Sequence, residues 1–118
     1  MFFFMSIMEK AKQLGEAIAE SQENQNLKNA GMEMYQDNEA KTILDDFSAL
    51  QKRMQMTQAN GKPLTEKQHK EIQNIQAKMK GNESISNFME AQQHFNQLLQ
   101  TVNQTISSVI EPENSTED

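Results

Sequence analysis

The sequence contains no cysteine, and this absence excludes disulfide bonds, thiolate metal sites and cysteine nucleophiles. It also lacks a long apolar run, because its only strongly apolar segment, residues 1–8, is too short to span a bilayer. That segment has no basic leader and no small-residue cleavage site after it, so it does not resemble a signal peptide. The four glycines are isolated and form no phosphate-binding loop. These absences fit a cytoplasmic protein without a membrane segment.

Apolar core residues are also scarce. Leu, Ile, Val and Phe account for 23 of the 118 residues, close to the level at which a charged chain fails to fold. The 26 Gln and Asn residues favour exposed helix faces over burial. A thin core of this kind indicates that self-association completes the burial, and the alternative is a monomer of marginal stability. The formal net charge of −6 argues against a general surface for nucleic acid.

The strongest helical periodicity lies between Glu83 and Ile110. Apolar residues recur there at alternating steps of three and four, which is the spacing of a helix that packs along its whole length. The two heptad rows are Phe88, Phe95, Val102, Val109 and Ile85, Gln92, Leu99, Ile106. The pattern predicts a helix roughly 40 Å long that pairs with other helices and with a second copy of the chain.

Shorter helical patterns precede this long helix, and none of the chain has the alternation of a strand. We predict an all-α fold, a helical bundle of four to five helices in a single domain, residues 1–110, that dimerises through helix packing. The predicted first helix has Ser6 as its N-cap and runs to about Glu20, and a short second helix carries Leu27, Ala30 and Met34. The third helix has Asn38 as its N-cap, preferred to Asp37, and reaches about Asn60, with Gly61 as its left-handed cap. The fourth runs from the capping box of Thr65 and Gln68 to Gly81.

The two ends of the chain are interpreted separately. Residues 1–5 are either disordered or the result of a start codon placed too early, with Met5 or Met8 as the alternative start. The same Phe residues could instead dock on the bundle or anchor to a partner, and the start-codon interpretation is favoured because exposed Phe side chains promote aggregation. Residues 111–118 have no apolar side chain and are predicted to form a disordered acidic tail.

No catalytic, cofactor-binding or metal-binding residue is assigned. Glu90 and His94 stand four residues apart on one helical face, but a metal site needs three or four ligands and His69 is on another helix. The adjacent carboxylates Asp45 and Asp46 point about 100° apart on a helix, so they indicate a solvated face. A small metal-dependent enzyme around Glu90 and His94 is therefore the weakest of the functions considered.

Protein–protein interaction is the function that the pattern favours. Basic residues concentrate between positions 52 and 80, which makes an RNA-associated factor the alternative, although no aromatic residues are interleaved with the lysines. If Phe95 is buried, Phe95→Ala should cost about 3–5 kcal/mol. The predicted packing and interface residues are Phe47, Leu50, Met56, Phe88, Phe95, Leu99, Val102 and Ile106.

Several stretches together resemble a known family. They run from Glu39 to Phe47, from Gln51 to Gln58, through Leu64 and Thr65, and from Ile85 to Ala91. In order and spacing they are similar to the YlbF/YmcA family of small helical bacterial proteins, most closely its YheA-like branch, over about residues 7–112.

The resemblance implies an all-helical cytoplasmic protein that forms dimers or higher assemblies, with other members of the family as further partners. It also implies a part in a complex that affects competence, sporulation and biofilm formation and assists an endoribonuclease. Some members bind an iron–sulfur cluster through Cys ligands, and this sequence has no Cys to hold one. The resemblance therefore implies no cofactor and no catalytic residue.

Overall fold

The protein is described here from a computed structural model, which defines the backbone of residues 2–111 and the side chains of residues 6–111. Within that range the fold is all-α and contains no strand. Both the all-α class and the bounds of the long last helix were predicted, and both are confirmed. The helices are α1 (Phe2–Ala19), α2 (Gln22–Gln36), α3 (Asn38–Ala59), α4 (Glu66–Gly81) and α5 (Glu83–Ile110).

Two of the predicted helix starts are wrong. Ser6 lies inside α1, because the preceding residues contain no turn-forming residue and the helix begins at Phe2. The N-cap of α3 is Asp37 instead of Asn38, and its Oδ1 accepts hydrogen bonds from the backbone N–H groups of Glu39 and Ala40. The other predicted feature of the N-terminal segment, docking of its Phe side chains, lies outside the described side chains.

The turn between α3 and α4 was predicted correctly. Gly61 has a φ of 74°, and the N–H groups of Gly61 and Lys62 bond back to the carbonyls of Gln58 and Thr57. This pair of bonds is a Schellman motif, which uses glycine because an L side chain is strained in the left-handed region.

The capping box that opens α4 is also present. The Thr65 hydroxyl accepts from the Gln68 N–H at 3.1 Å, and the Gln68 side-chain oxygen accepts from the Thr65 N–H at 2.9 Å. The Gln68 amide also donates to the Thr57 hydroxyl of α3 at 3.1 Å. The start of α4 is thus bonded to the last turns of α3, which holds the two helices as a hairpin.

The chain divides into two units, and residues 30–89 form the first. Its core is a small cluster of Ala40 and Ile43 from α3 with Ile85 from α5. Met34 of α2 and Met79 of α4 pack against that cluster, so four helices meet there. Further along the hairpin Leu50 is 1% exposed. The apolar stripes predicted for α3 and α4 therefore face the interior of this unit.

The second unit contains residues 1–29 and 90–118, which include α1, the start of α2 and most of α5. Ala91 is its one buried apolar side chain among the described residues. The single domain predicted for residues 1–110 stays a prediction, and the predicted acidic tail lies outside the described residues from position 112 onward. This second unit has little core of its own among the described residues. Its exposed apolar side chains are therefore the candidates for an interface with another protein chain.

Candidate protein interface

The apolar stripe of α1 is largely uncovered. Ile7 is 61% exposed, and Met8 and Leu14 are also exposed, while Ile18 near the end of the helix is half-buried. Exposed apolar residues scattered singly are normal on any protein, but these lie at helical spacing on one face. The helix therefore has an amphipathic face that the described part of its own unit does not bury.

The distal half of α5 has a second uncovered stripe. Phe95, Leu99 and Val102 are half-buried, and beyond them Ile106 is 43% exposed and Val109 is 76% exposed. Exposure thus rises along the helix toward its C-terminus, although the heptad pattern continues to Ile110. The heptad pattern, which is typical of helix pairing, therefore continues into a part of α5 that the described side chains leave exposed.

The same segment carries no formal charge. Between Ala91 and Ile110 there is no Asp, Glu, Lys or Arg, and the polar positions are Gln, Asn, Ser, Thr and one His. In a two-fold interface each side chain meets residues of the same segment, so charged groups near the axis would face like charges. A charge-free helix of 20 residues avoids that repulsion and is compatible with self-association.

The predicted packing and interface residues fall into three groups. Leu50 is fully buried in the first unit, where Phe47 and Phe88 are half-buried, so these three pack within the chain. Met56 is 67% exposed on α3. The third group, on the distal half of α5, is Phe95, Leu99, Val102 and Ile106.

The loss of about 3–5 kcal/mol in folding stability predicted for Phe95→Ala applied to a buried side chain. Phe95 is only half-buried in the single chain.

A polar junction that the sequence analysis missed joins the first turns of α3 and α5. Asn82 is 5% exposed, ends α4, and starts α5 by accepting from the Ile85 N–H at 2.9 Å. Its amide nitrogen donates to Asp37 Oδ2 at 3.2 Å. The Ser84 hydroxyl, which has a single proton, lies 2.8 Å from both Asp37 Oδ2 and Asn82 Oδ1. Asn82 could have been identified as an N-cap, because Asn directly before Glu83 is a favoured residue there.

This junction also controls the acidity of Asp37. The hydrogen bond from the Ser84 hydroxyl, followed by that from the Ala40 N–H and that from the Asn82 amide, lowers the pKa of Asp37 below its ordinary value. Each of these donors stabilises the ionised carboxylate, which is why the pKa falls. The junction is a structural device in the first unit.

The basic residues of the α3–α4 hairpin lie on its surface. Lys52, Lys67, Lys70 and Lys78 are all exposed. One basic side chain, Arg53, forms an ion pair with Glu71 at 3.1 Å. The hairpin therefore presents lysine ammonium groups to solvent.

Glu90 and His94, the residues weighed for a metal site, lie on α5. His94 lies beside an open hollow between the start of α2 and α5, with Glu23 and the amides of Gln22 and Asn26 around it. Across the part of the chain that the structure describes, no group of three or more His, Cys, Asp or Glu side chains is placed to hold a metal ion. Glu90 and His94 are both exposed on α5.

These features describe a small all-helical protein with an uncovered apolar interface, and sequence comparison identifies its family. Residues 7–111 match the family described as control of competence regulator ComK, YlbF/YmcA. The chain belongs to this family, as the resemblance in its sequence predicted. The family description is regulatory, and it links the family to the control of competence.

Relatives of similar length occur in other bacteria. A UPF0342 protein of Desulfitobacterium hafniense is 38% identical over 104 residues, covering 88% of this chain and 79% of the relative. A UPF0342 protein of Bacillus licheniformis is 31% identical over 107 residues, covering 91% of this chain and 92% of the relative. The match extends over nearly the whole chain in both cases.

Solved structures share the fold. A chain of the crystal structure of Bacillus subtilis RicA in complex with RicF superposes with a TM-score of 0.81 at 22% identity, covering 92% of this chain and 96% of that chain. A DUF964 protein of unknown function from Bacillus stearothermophilus gives a TM-score of 0.76 at 22% identity, covering 94% and 97% of the two chains. No helix within residues 2–111 is both long and apolar enough to cross a membrane.

Proposed function

We propose that this protein is a non-enzymatic, cytoplasmic interaction component of a bacterial regulatory complex, and that it associates with a second copy of itself through the distal half of α5. The observation that carries the proposal is the uncovered, charge-free stripe that ends at Ile106, Val109 and Ile110. Burial of such a stripe against an identical helix removes apolar surface from water without bringing like charges together.

The family supports this class of function. Its description concerns regulation, and the structure of RicA in complex with RicF shares the fold, so association between proteins is known in one structural neighbour. We infer a corresponding accessory role here, in a complex that affects competence, sporulation or biofilm formation and the processing of transcripts. Other members of the family are further candidate partners of the same α5 face.

The proposal can be tested by placing one negative charge on either side of α5. Ile106→Glu puts a carboxylate into the apolar stripe, whereas Gln104→Glu puts it about 200° around the helix, since successive residues are 100° apart. Both positions are exposed in the single chain, so neither variant should unfold it. Circular dichroism confirms the helical content of each variant before association is measured.

Light scattering after gel filtration then gives the mass of each variant. The wild type and Gln104→Glu should have twice the chain mass of 13.5 kDa, and Ile106→Glu should have the mass of one chain. Equal masses for the two variants would mean that the α5 stripe is not the self-association surface. A folded wild type that is monomeric would leave the stripe to a partner other than a second copy.

A further inference from the structure

The charge of the chain is strongly segregated, and the proposed self-association does not use this property. Residues 51–80, called here the basic hairpin segment, contain seven Lys and Arg against Glu66 and Glu71, a formal charge of +5. The whole chain carries −6, so the remaining residues are strongly acidic. Asp46 and Glu71 line the same open hollow as Lys52 and Lys78, but the segment keeps an excess of positive charge, which is suited to contact with an anion.

The lysines of the basic hairpin segment are available for such a contact. They are all exposed, and the ion pair with Glu71 is formed by Arg53 instead of a lysine. Each exposed pair of charges contributes little by itself, so a useful contact needs several carboxylates at once. The exposed lysines are Lys52, Lys62, Lys67, Lys70, Lys78 and Lys80.

The chemistry of the segment favours carboxylates over nucleic acid. Residues 51–80 contain no Phe, Tyr or Trp on which a base could stack, and their single arginine is already held by Glu71. Lysine ammonium groups are compact point charges that pair with carboxylates without requiring the forked geometry that arginine supplies. An acidic polypeptide segment is therefore the better match.

The sequence contains such a segment. Residues 112–118 carry Glu113, Glu117 and Asp118, three carboxylates in seven residues with no basic side chain. We propose that the basic hairpin segment of one copy docks the acidic segment 112–118 of a second copy. The inference rests on the proposed self-association, which pairs the distal halves of α5 and so brings the end of α5 in one copy close to the other copy.

Paramagnetic broadening between copies tests the contact. The chain has no cysteine, so the variant Ser115→Cys accepts a single nitroxide label. This variant is prepared without ¹⁵N and is mixed with ¹⁵N-labelled wild type. The expected result is loss of amide signal intensity within residues 62–80 of the ¹⁵N copy at about 0.05 M salt. The loss should disappear at about 1 M salt, where the Debye length is about 3 Å.

Two matched variants of the nitroxide-bearing chain test whether the carboxylates of the acidic segment make the contact. Glu113→Gln, Glu117→Gln and Asp118→Asn together should abolish the broadening, whereas Glu9→Gln, Glu16→Gln and Glu20→Gln together should preserve it. Broadening that is unchanged by the first triple variant, or that falls outside residues 51–80, would overturn the proposal.

The mass of each mixture is measured in parallel. A dimer without broadening in the basic hairpin segment overturns this inference and leaves the proposed self-association intact, whereas a monomer counts against both. A single-stranded RNA of 20 nucleotides is added to the same ¹⁵N protein. RNA-induced shifts within residues 51–80, in a sample without paramagnetic broadening, would assign the surface to nucleic acid and overturn the proposal.

Discussion

Asp37 and Asn82 are 45 residues apart in the sequence, and the amide of Asn82 donates a hydrogen bond to the carboxylate of Asp37 across 3.2 Å. Each residue is also the N-cap of a helix, Asp37 for α3 and Asn82 for α5. One contact therefore joins two helix starts, and it fixes where α5 begins relative to the hairpin within the first unit. Because Asn82 is buried, its polar atoms depend on these partners.

Removal of the Asn82 side chain should destabilise the fold. Asn82→Ala deletes the cap of α5 and leaves Asp37 and Ser84 without one partner each, so we expect a loss of about 1–3 kcal/mol in the free energy of unfolding. Urea denaturation followed by circular dichroism measures the change. The control Asn87→Ala lies on the exposed surface of α5 and should change stability by less than about 0.5 kcal/mol. Equal effects in the two variants would show that the junction contributes nothing.

The Asp37 carboxylate should make stability depend on pH. Hydrogen bonds from Ser84, Ala40 and Asn82 lower its pKa in the folded state, so the folded state holds the ionised form more strongly than the unfolded state does. The stabilisation is therefore fully present above the unfolded pKa, about pH 4, and is lost as the pH falls through the lower folded pKa.

Comparison with Asp37→Asn isolates this group from the other carboxylates. Urea midpoints at pH 7 and at successive values below pH 4 should fall more steeply for the wild type than for the variant. Parallel curves for the two proteins would mean that Asp37 has the same pKa in the folded and unfolded states.

Substitution by alanine should raise the folding stability at one glycine, Gly31, and lower it at another, Gly61. A Cβ atom at Gly31 would lie 3.5 Å from Phe88 Cε1, an ordinary van der Waals distance, and Gly31 is inside α2. Gly31→Ala should therefore stabilise the protein by up to about 1 kcal/mol through helix propensity. Gly61→Ala should destabilise it by about 1–2 kcal/mol because φ at Gly61 is +74°. Thermal unfolding of both variants checks the pair, and a loss of stability on Gly31→Ala would contradict the packing described at Phe88.

Leu50 and Met56 lie on the same helix, α3, and truncation of each should have a different effect on stability. Leu50 is fully buried, so Leu50→Ala should cost about 2–5 kcal/mol in the free energy of unfolding. Met56 is exposed, and Met56→Ala should change stability by less than about 0.5 kcal/mol. Denaturant midpoints measured on dilute protein test both values. A large loss for Met56→Ala would place this side chain in a buried contact.

Features with short-range causes could be predicted from the sequence. The bounds of α5 follow from its heptad pattern and from Gly81 at the end of the preceding helix, and the start of α4 follows from the spacing of Thr65 and Gln68. These signals are contained in one continuous stretch of sequence each, so no knowledge of the tertiary structure is required.

Features that depend on distant partners could not be predicted. Asp37 and Asn38 are both good N-caps, and the choice between them involves Asn82 and Ser84, which approach only after folding. The heptad pattern of α5 likewise indicates a packed stripe without indicating what covers it. Only the structure shows that the stripe is covered near Ile85 and exposed at Val109.

The central claim is that a second copy of the chain covers the exposed stripe of α5. Sedimentation equilibrium of the wild type across a dilution series, at about 0.1 M and about 1 M salt, tests it most directly. We predict a dimer of twice 13.5 kDa at both salt concentrations, because the segment from Ala91 to Ile110 carries no charge for salt to screen. A mass of one chain at every concentration would contradict the account.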